Sequence, residues 1–128
     1  MFTDLDAVED MMGKSVEQMT AHELVSYIKT WIKAVYGIDL PASPHREKAI
    51  FSALKRTYGD REAGRIVKWA YWKHNGKRNN GEYVTYSTFS RPMKWWTDIM
   101  YIELQDEMLR ESSREKVSVE GFSKLQDI

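Results

Sequence analysis

A chain of 128 residues suits one domain, and its 42% apolar and 30% charged residues are ordinary for a globular protein. The lack of cysteine excludes disulfide bonds and thiolate metal sites, and no apolar run approaches the length of a membrane-spanning helix. The N-terminus is acidic and lacks the basic region of a secretory signal, so we expect a cytoplasmic protein with no membrane partner.

The N-terminal third of the chain predicts two helices. Thr3 can cap a short helix, which Gly13 interrupts. A capping box of Thr20 and Glu23 opens a longer helix, and Gly37 ends it as a residue suited to left-handed backbone. The apolar residues of this longer helix share one face at helical spacing: Leu24, Val25, Ile28, Trp31, Ile32 and Val35.

The middle of the chain predicts two further helices joined by a three-residue turn. Ser43 caps the first and Pro44 is its first residue. Gly59 ends that helix, and Asp60 caps the second, which spans about residues 61–74. Such a pair matches the outline of a helix-turn-helix, in which the second helix enters the major groove of DNA. A plain helical hairpin with a solvated basic face is the alternative.

Residues 75–86 predict a short loop or hairpin, because a polar stretch rich in Asn and Gly precedes four residues of strand-like propensity. Ser90 caps a last long helix that begins at Arg91 or Pro92 and ends near Arg110. We therefore expect an all-α fold, a compact bundle of about four to five helices in a single domain of residues 1–112. The apolar stripe of the last helix is predicted to be Trp96, Ile99, Met100, Leu104 and Met108.

Residues 113–128 are predicted to form a C-terminal tail. Its sparse apolar residues lie among charged ones, a pattern that suits docking in the groove of a partner protein. The residues predicted to make this contact are Phe122, Leu125 and Ile128. Folding of the tail back onto its own domain is the alternative.

The formal net charge is zero, but the charges are unevenly spread. Residues 1–44 carry seven acids and three bases, residues 45–96 carry four acids and twelve bases, and residues 97–128 carry eight acids and four bases. A centre of net charge +8 between two flanks of −4 favours a polyanionic partner. Neutralisation of the centre by the flanks within one folded molecule is the alternative.

The second helix of the central pair carries the predicted phosphate contacts. Its cations recur every three to four residues and therefore share a face, and the following loop adds two more. The predicted nucleic-acid-binding residues are Arg61, Arg65, Lys68, Trp72, Lys73, Lys77 and Arg78. Aromatic rings beside these cations suit base stacking, although packing of most tryptophans in the core is favoured. Of the adjacent Trp95 and Trp96, one ring is expected to be buried and the other exposed.

Nothing in the sequence supports catalysis. Glu103, Asp106 and Glu107 converge at helical spacing, as carboxylates that bind Mg²⁺ do, but a solvated helix face is favoured. The chain has no phosphate-loop, dinucleotide-binding or hydrolase motif, and its three histidines have no metal-ligand spacing. We therefore predict a non-enzymatic protein without a metal ion or cofactor.

Three segments occur together in this cysteine-free helical chain: Tyr58-Gly59 at a helix end, the basic aromatic stretch Lys68-Trp-Ala-Tyr-Trp-Lys73, and Lys94-Trp-Trp96. In this combination the chain resembles small accessory proteins of bacteriophages, which include replication-associated helicase loaders and regulators of host machinery. The resemblance implies a nucleic-acid-associated protein of replication, transcription or packaging, and we favour DNA over RNA. The alternative is a protein-interaction module that inhibits or modulates a host or phage enzyme.

Overall fold

The computed structural model describes residues 7–78 and 80–116, with side chains described as far as Ser113. Within these residues the chain forms a helical bundle, which confirms the predicted all-α fold. The α-helices are α1 (Ala7–Met12), α2 (Ala21–Tyr36), α3 (Pro44–Tyr58), α4 (Asp60–Trp72) and α5 (Lys94–Lys116). Single turns of 3₁₀ helix cover Val16–Gln18, Tyr86–Phe89 and Arg91–Met93.

The predicted capping box begins α2. The Thr20 hydroxyl accepts a hydrogen bond from the Glu23 backbone N–H at 3.2 Å, and the Glu23 carboxylate accepts one from the Thr20 N–H at 3.0 Å. Gly37 follows the last turn with φ of 71°, the left-handed conformation predicted for it. The predicted apolar face is buried at all of its positions except Val35, which is half-buried.

A single residue, Gly59, joins α3 to α4, so the predicted three-residue turn is wrong. Asp60 is consequently the first residue of α4 and not its cap. The start of α3 is as predicted, with Ser43 at the cap position and Pro44 in the first turn. The short connection fixes the two helices as neighbours in the bundle.

The central helix of the bundle is α4, which contacts α2, α3, α5 and the 3₁₀ turn Val16–Gln18. That 3₁₀ turn approaches α4 at Gly64, where a Cβ atom would overlap the carbonyl group of Val16. Glycine at this position therefore allows the N-terminal segment to pack directly on the helix backbone. Seven of the thirteen residues of α4 are buried: Ala63, Gly64, Ile66, Val67, Trp69, Ala70 and Tyr71.

A small hairpin forms within residues 75–86, as predicted. Lys77 and Tyr83 make an antiparallel bridge, and the Val84 N–H donates to the Gly76 carbonyl at 2.8 Å. The hydroxyl of Tyr71 donates to the Val84 carbonyl, also at 2.8 Å, which ties the hairpin to the buried side of α4. The connection between α4 and α5 is therefore held against the core.

The last helix is longer than predicted. Ser90 caps the 3₁₀ turn Arg91–Met93, and α5 then runs from Lys94 to Lys116. The expected domain boundary at residue 112 therefore falls inside a helix. Outside the described residues lie Thr3 and the predicted docking residues Phe122, Leu125 and Ile128.

Gly64→Ala should lower the free energy of unfolding by about 1–3 kcal/mol, because the added methyl group overpacks the contact with Val16. In an open helix the same change raises stability by about 1 kcal/mol. Chemical denaturation of the two proteins measures the difference. The exposed α2 variant Ala34→Gly is the control for helix propensity, and a more stable Gly64→Ala protein would contradict the close approach.

Candidate nucleic-acid interface

The predicted basic face of α4 meets acidic residues of the N-terminal segment. The Arg65 guanidinium lies 3.3 Å from the Glu17 carboxylate and 2.5 Å from that of Glu62. These two acids, Glu17 first, raise the pKa of Arg65 above its usual value. Lys68 pairs with Glu9. The centre of the predicted phosphate-binding helix is thus neutralised within the molecule, as the alternative interpretation of the charge pattern proposed.

The Glu9 carboxylate joins three parts of the fold. It is buried in α1, and one of its oxygens accepts the Val16 N–H at 2.9 Å. The other oxygen binds the Lys68 ammonium group on α4. A buried carboxylate needs such partners, since loss of hydration is offset only by charge pairing and hydrogen bonds.

The two ends of α4 carry the other helical residues of the predicted set. Arg61 is exposed in the first turn, and Trp72 is exposed in the last. The Trp72 ring packs edge-on against Trp69, with centroids 5.6 Å apart. Lys73 lies 5.9 Å from the centroid of the Trp69 ring. Arg61 is therefore separated from Trp72 and Lys73 by the neutralised centre of the helix.

The two predicted cations of the hairpin also have partners in the molecule. Lys77 lies 5.2 Å from the centroid of the Tyr83 ring. Arg78 pairs with Glu82 and lies 5.9 Å from the centroid of the Trp95 ring. The seven predicted residues therefore do not combine into one open basic surface, and a guanidinium lies over one face of the Trp95 ring.

Most tryptophans lie in the core, as favoured from the sequence. Trp96 is 3% exposed and its neighbour Trp95 is 57% exposed, which confirms the predicted difference between the two rings. Trp31 and Trp69 are also buried. Base stacking would therefore have to use Trp72 or Trp95, both of which already contact a neighbouring side chain.

A groove that sequence analysis missed separates α3 from the start of α5, with a volume of about 650 Å³. Its inner wall consists of apolar side chains that include Ile50, Leu54 and Phe89. Thr57, Ser90 and Thr97 also line it, and their hydroxyl groups donate to backbone carbonyls. We call it the basic groove, because its charged lining residues are all cations: Arg56, Arg91 and Lys94.

Arg46 extends the positive charge of the basic groove along α3. It is exposed and precedes the lining residues Ala49, Ala53 and Arg56 by three, seven and ten positions. Because residues at these spacings share one helix face, Arg46 lies on the side of α3 that forms the groove. The spacing was visible in the sequence, but only the packing of α3 on α5 shows that Arg91 faces it.

A hydrogen-bonded cluster forms one end of the groove. The Tyr58 hydroxyl donates to the Asp98 carboxylate at 2.5 Å and lies 2.9 Å from the Thr97 hydroxyl. Burial, followed by the contact with Asp98, raises the pKa of Tyr58 to about 12. Tyr58 and then Lys94, whose Nζ is 2.9 Å away, lower the pKa of Asp98. Lys94 is therefore partly neutralised by Asp98. Arg56 and Arg91, by contrast, form no ion pair with a carboxylate of residues 7–78 and 80–116.

The segment before α5 fixes the second wall of the groove. Phe89 packs against Phe51 of α3 and Trp96 of α5, with ring centroids 5.5 and 5.7 Å apart. The Tyr86 hydroxyl donates to the carbonyl of Leu40 at 3.0 Å. These contacts place Arg91 and Lys94 opposite α3, so the groove is formed by the core and not by a free loop.

The acidic side chains of α5 do not converge on a metal site. One oxygen of Glu103 contacts both Trp69 Nε1 at 3.0 Å and His74 Nε2 at 2.6 Å, and Asp106 pairs with Arg110 at 3.1 Å. Within the part of the chain that the structure describes, no cluster of three or more His, Asp or Glu residues can hold a metal ion.

None of the helices in the described ranges combines the length and apolar character needed to cross a bilayer. Comparison of the chain with protein-family models, curated proteins and solved structures finds no match.

Glu9→Gln should lower the free energy of unfolding by about 1–3 kcal/mol, because it removes the buried charge that binds Lys68 while it keeps the side-chain shape. Chemical denaturation measures the loss. The matched control is Asp39→Asn, which breaks the exposed pair with Lys33 and should cost less than about 1 kcal/mol. Equal losses for the two variants would contradict a structural role of Glu9.

The stability that Tyr58 contributes should depend on pH above 10. Its pKa is raised from 10 to about 12 in the folded chain, so the folded state favours the neutral phenol. This contribution is fully present below pH 10 and is lost as the pH rises to about 12. The difference in unfolding free energy between the wild type and Tyr58→Phe should therefore shrink over this interval. A constant difference would contradict the assignment.

Proposed function

We propose that the chain is a non-enzymatic, nucleic-acid-associated accessory protein that holds a phosphate backbone in the basic groove. The observation that carries the proposal is a groove of about 650 Å³ lined by three cations, of which only Lys94 pairs with a carboxylate among the described residues, that of Asp98. The proposal moves the contact from α4, where sequence analysis placed it, to α3 and the start of α5.

The chemistry of the basic groove suits a polyanion. Arginine forms bidentate hydrogen bonds with phosphate oxygens, and neutralised phosphates release their condensed counterions. Arg56 and Arg91 stand on opposite walls, so a backbone in the groove can contact both. Such contacts position a backbone without reading its sequence.

The resemblance to bacteriophage accessory proteins agrees with this role. Proteins that act in phage replication, transcription or packaging work on DNA, and DNA is therefore the first ligand to test. A groove lined by two opposed arginines accepts either a single strand or one edge of a duplex, so both forms belong in the experiment.

The alternative function is a protein-interaction module whose basic face meets an acidic surface of a host or phage enzyme. Cross-linking and co-purification in high salt separate the two functions. Charge-driven contacts with nucleic acid weaken as salt rises, whereas a protein complex with an apolar centre persists.

Replacement of Arg56 and Arg91 by glutamine in one chain should weaken binding of labelled single-stranded DNA by about tenfold or more. Loss of two phosphate contacts should also reduce the slope of log K against log salt by about 1.4, since each single-strand contact contributes about 0.7. Fluorescence anisotropy at several salt concentrations measures both quantities, with a duplex titrated in parallel.

Two double variants of equal charge provide the controls. Lys29→Gln with Lys33→Gln removes two exposed cations from α2 and should leave affinity nearly unchanged. Arg61→Gln with Lys73→Gln tests the surface predicted from the sequence. Wild-type affinity after the loss of Arg56 and Arg91, or a larger loss at Arg61 and Lys73, would overturn the proposed groove.

A further inference from the structure

Cationic and apolar surface alternate along the α3 wall of the basic groove. Arg46 and Arg56 are exposed on the same face of the helix, and the ten residues between their positions correspond to about 15 Å. Between them lie Ala49, Ile50 and Ala53, which line the groove and are exposed or half-buried. The apolar part of this wall is therefore accessible to a ligand and has a cation at each end.

The opposite wall of the groove repeats this combination. Arg91 and Pro92 are neighbours in the turn before α5, and both are exposed among the lining residues. Phe89 lies in the inner wall and is fixed there by its contacts with Phe51 and Trp96. A ligand in the groove therefore meets both apolar surface and a guanidinium group on each wall.

The exposed apolar residues of α5 do not have this combination. Ile99 and Met108 are exposed, so the prediction that they belong to the buried stripe of this helix is wrong for these two residues. The cation that follows Met108, Arg110, pairs with Asp106 at 3.1 Å. The two arginines that line the basic groove form no ion pair within the described residues, so their guanidinium groups are available to an anion.

Apolar surface between cations fits a single strand better than a duplex. A duplex carries one phosphate charge per roughly 1.7 Å of its axis on the outside, and the faces of its bases are stacked inside. On the α3 wall it would set phosphates against Ala49 and Ala53, and no base face would cover them. The bases of a single strand are accessible, so they can lie on apolar side chains while the phosphates beside them bind arginine.

We propose that the ligand of the basic groove is a single-stranded polynucleotide. Its bases lie on the apolar wall between Arg46 and Arg56, and its phosphates bind these two arginines and Arg91. This inference rests on the proposed function and specifies the strand form of the ligand.

Fluorescence anisotropy of the full chain with three probes of equal length tests the strand form. The probes are oligothymidylate, an abasic strand with the same number of phosphates, and a duplex. Oligothymidylate should bind about fivefold more tightly than the abasic strand, which is the lower end of the gain for one stacked base, because the wall is mainly aliphatic. It should also bind more tightly than the duplex, although the duplex has twice as many phosphates. Oligouridylate, titrated in parallel, distinguishes RNA from DNA as the source of the strand, and a preference for either over the abasic strand supports the proposal.

A substitution on the α3 wall tests where the bases bind. Ala49→Gln covers apolar surface without a change of charge, so it should weaken binding of oligothymidylate and leave binding of the abasic strand nearly unchanged. The matched control is Ala34→Gln, at an exposed alanine of α2, which should affect neither probe. Trp72→Ala removes an exposed ring of α4 and should also leave the preference for bases intact. Loss of the preference in Trp72→Ala, with no effect of Ala49→Gln, would overturn the proposed contact.

Failure of this inference is distinguishable from failure of the proposed function. Equal affinity of the wild type for oligothymidylate and the abasic strand, or tighter binding of the duplex, would overturn the single-strand inference. If that binding still depended on Arg56 and Arg91, the proposed function would stand. No binding of any probe at low salt would overturn both.

Discussion

The buried carboxylate of Glu9 is the contact on which the packing of the N-terminal segment depends. It links α1, the Val16 backbone and Lys68 of α4, so one charged group holds three parts of the chain together. Gly64 makes this arrangement possible, because it lets the Val16 turn lie directly on α4. The N-terminal acids are therefore structural partners of the basic centre. Part of the charge asymmetry in the sequence is neutralised by ion pairs within the fold.

The elements that local chemistry determines were predictable from the sequence. The Thr20 and Glu23 box and the left-handed Gly37 act within a few residues, and both lie where they were predicted. Helix ends without such signals were less predictable. An acid is typical both of a cap and of the first turn, so the pattern does not show that Asp60 is the first residue of α4. Polar residues do not by themselves break a helix, so α5 continues past residue 112.

Long-range packing explains why the proposed phosphate contact differs from the one that helical spacing predicts. Helical spacing predicts that Arg65 and Lys68 share one face of α4. It does not show that Glu17, 48 residues before Arg65, contacts Arg65. Nor does it show that Glu9, 59 residues before Lys68, contacts Lys68. The basic groove has the same origin, since Arg91 faces α3 only through the packing of Phe89. The sequence shows that the middle of the chain has an excess of cations. Only the tertiary structure shows which of these cations pair with acids and which do not.

The length of α5 has a consequence for local stability. Leu104 is its last buried residue in the described chain, and none of the side chains from Gln105 to Ser113 is buried. Gln105 still hydrogen-bonds to Glu62 of α4, but every side chain from Met108 to Ser113 is exposed. Helical segments with few tertiary contacts are marginal in water, so the free energy of local opening must fall from Gln105 toward Ser113. The first half of α5 is therefore held by the core, and its second half is held only weakly. Any molecule that binds the second half would stabilise its helical conformation as well as contact it.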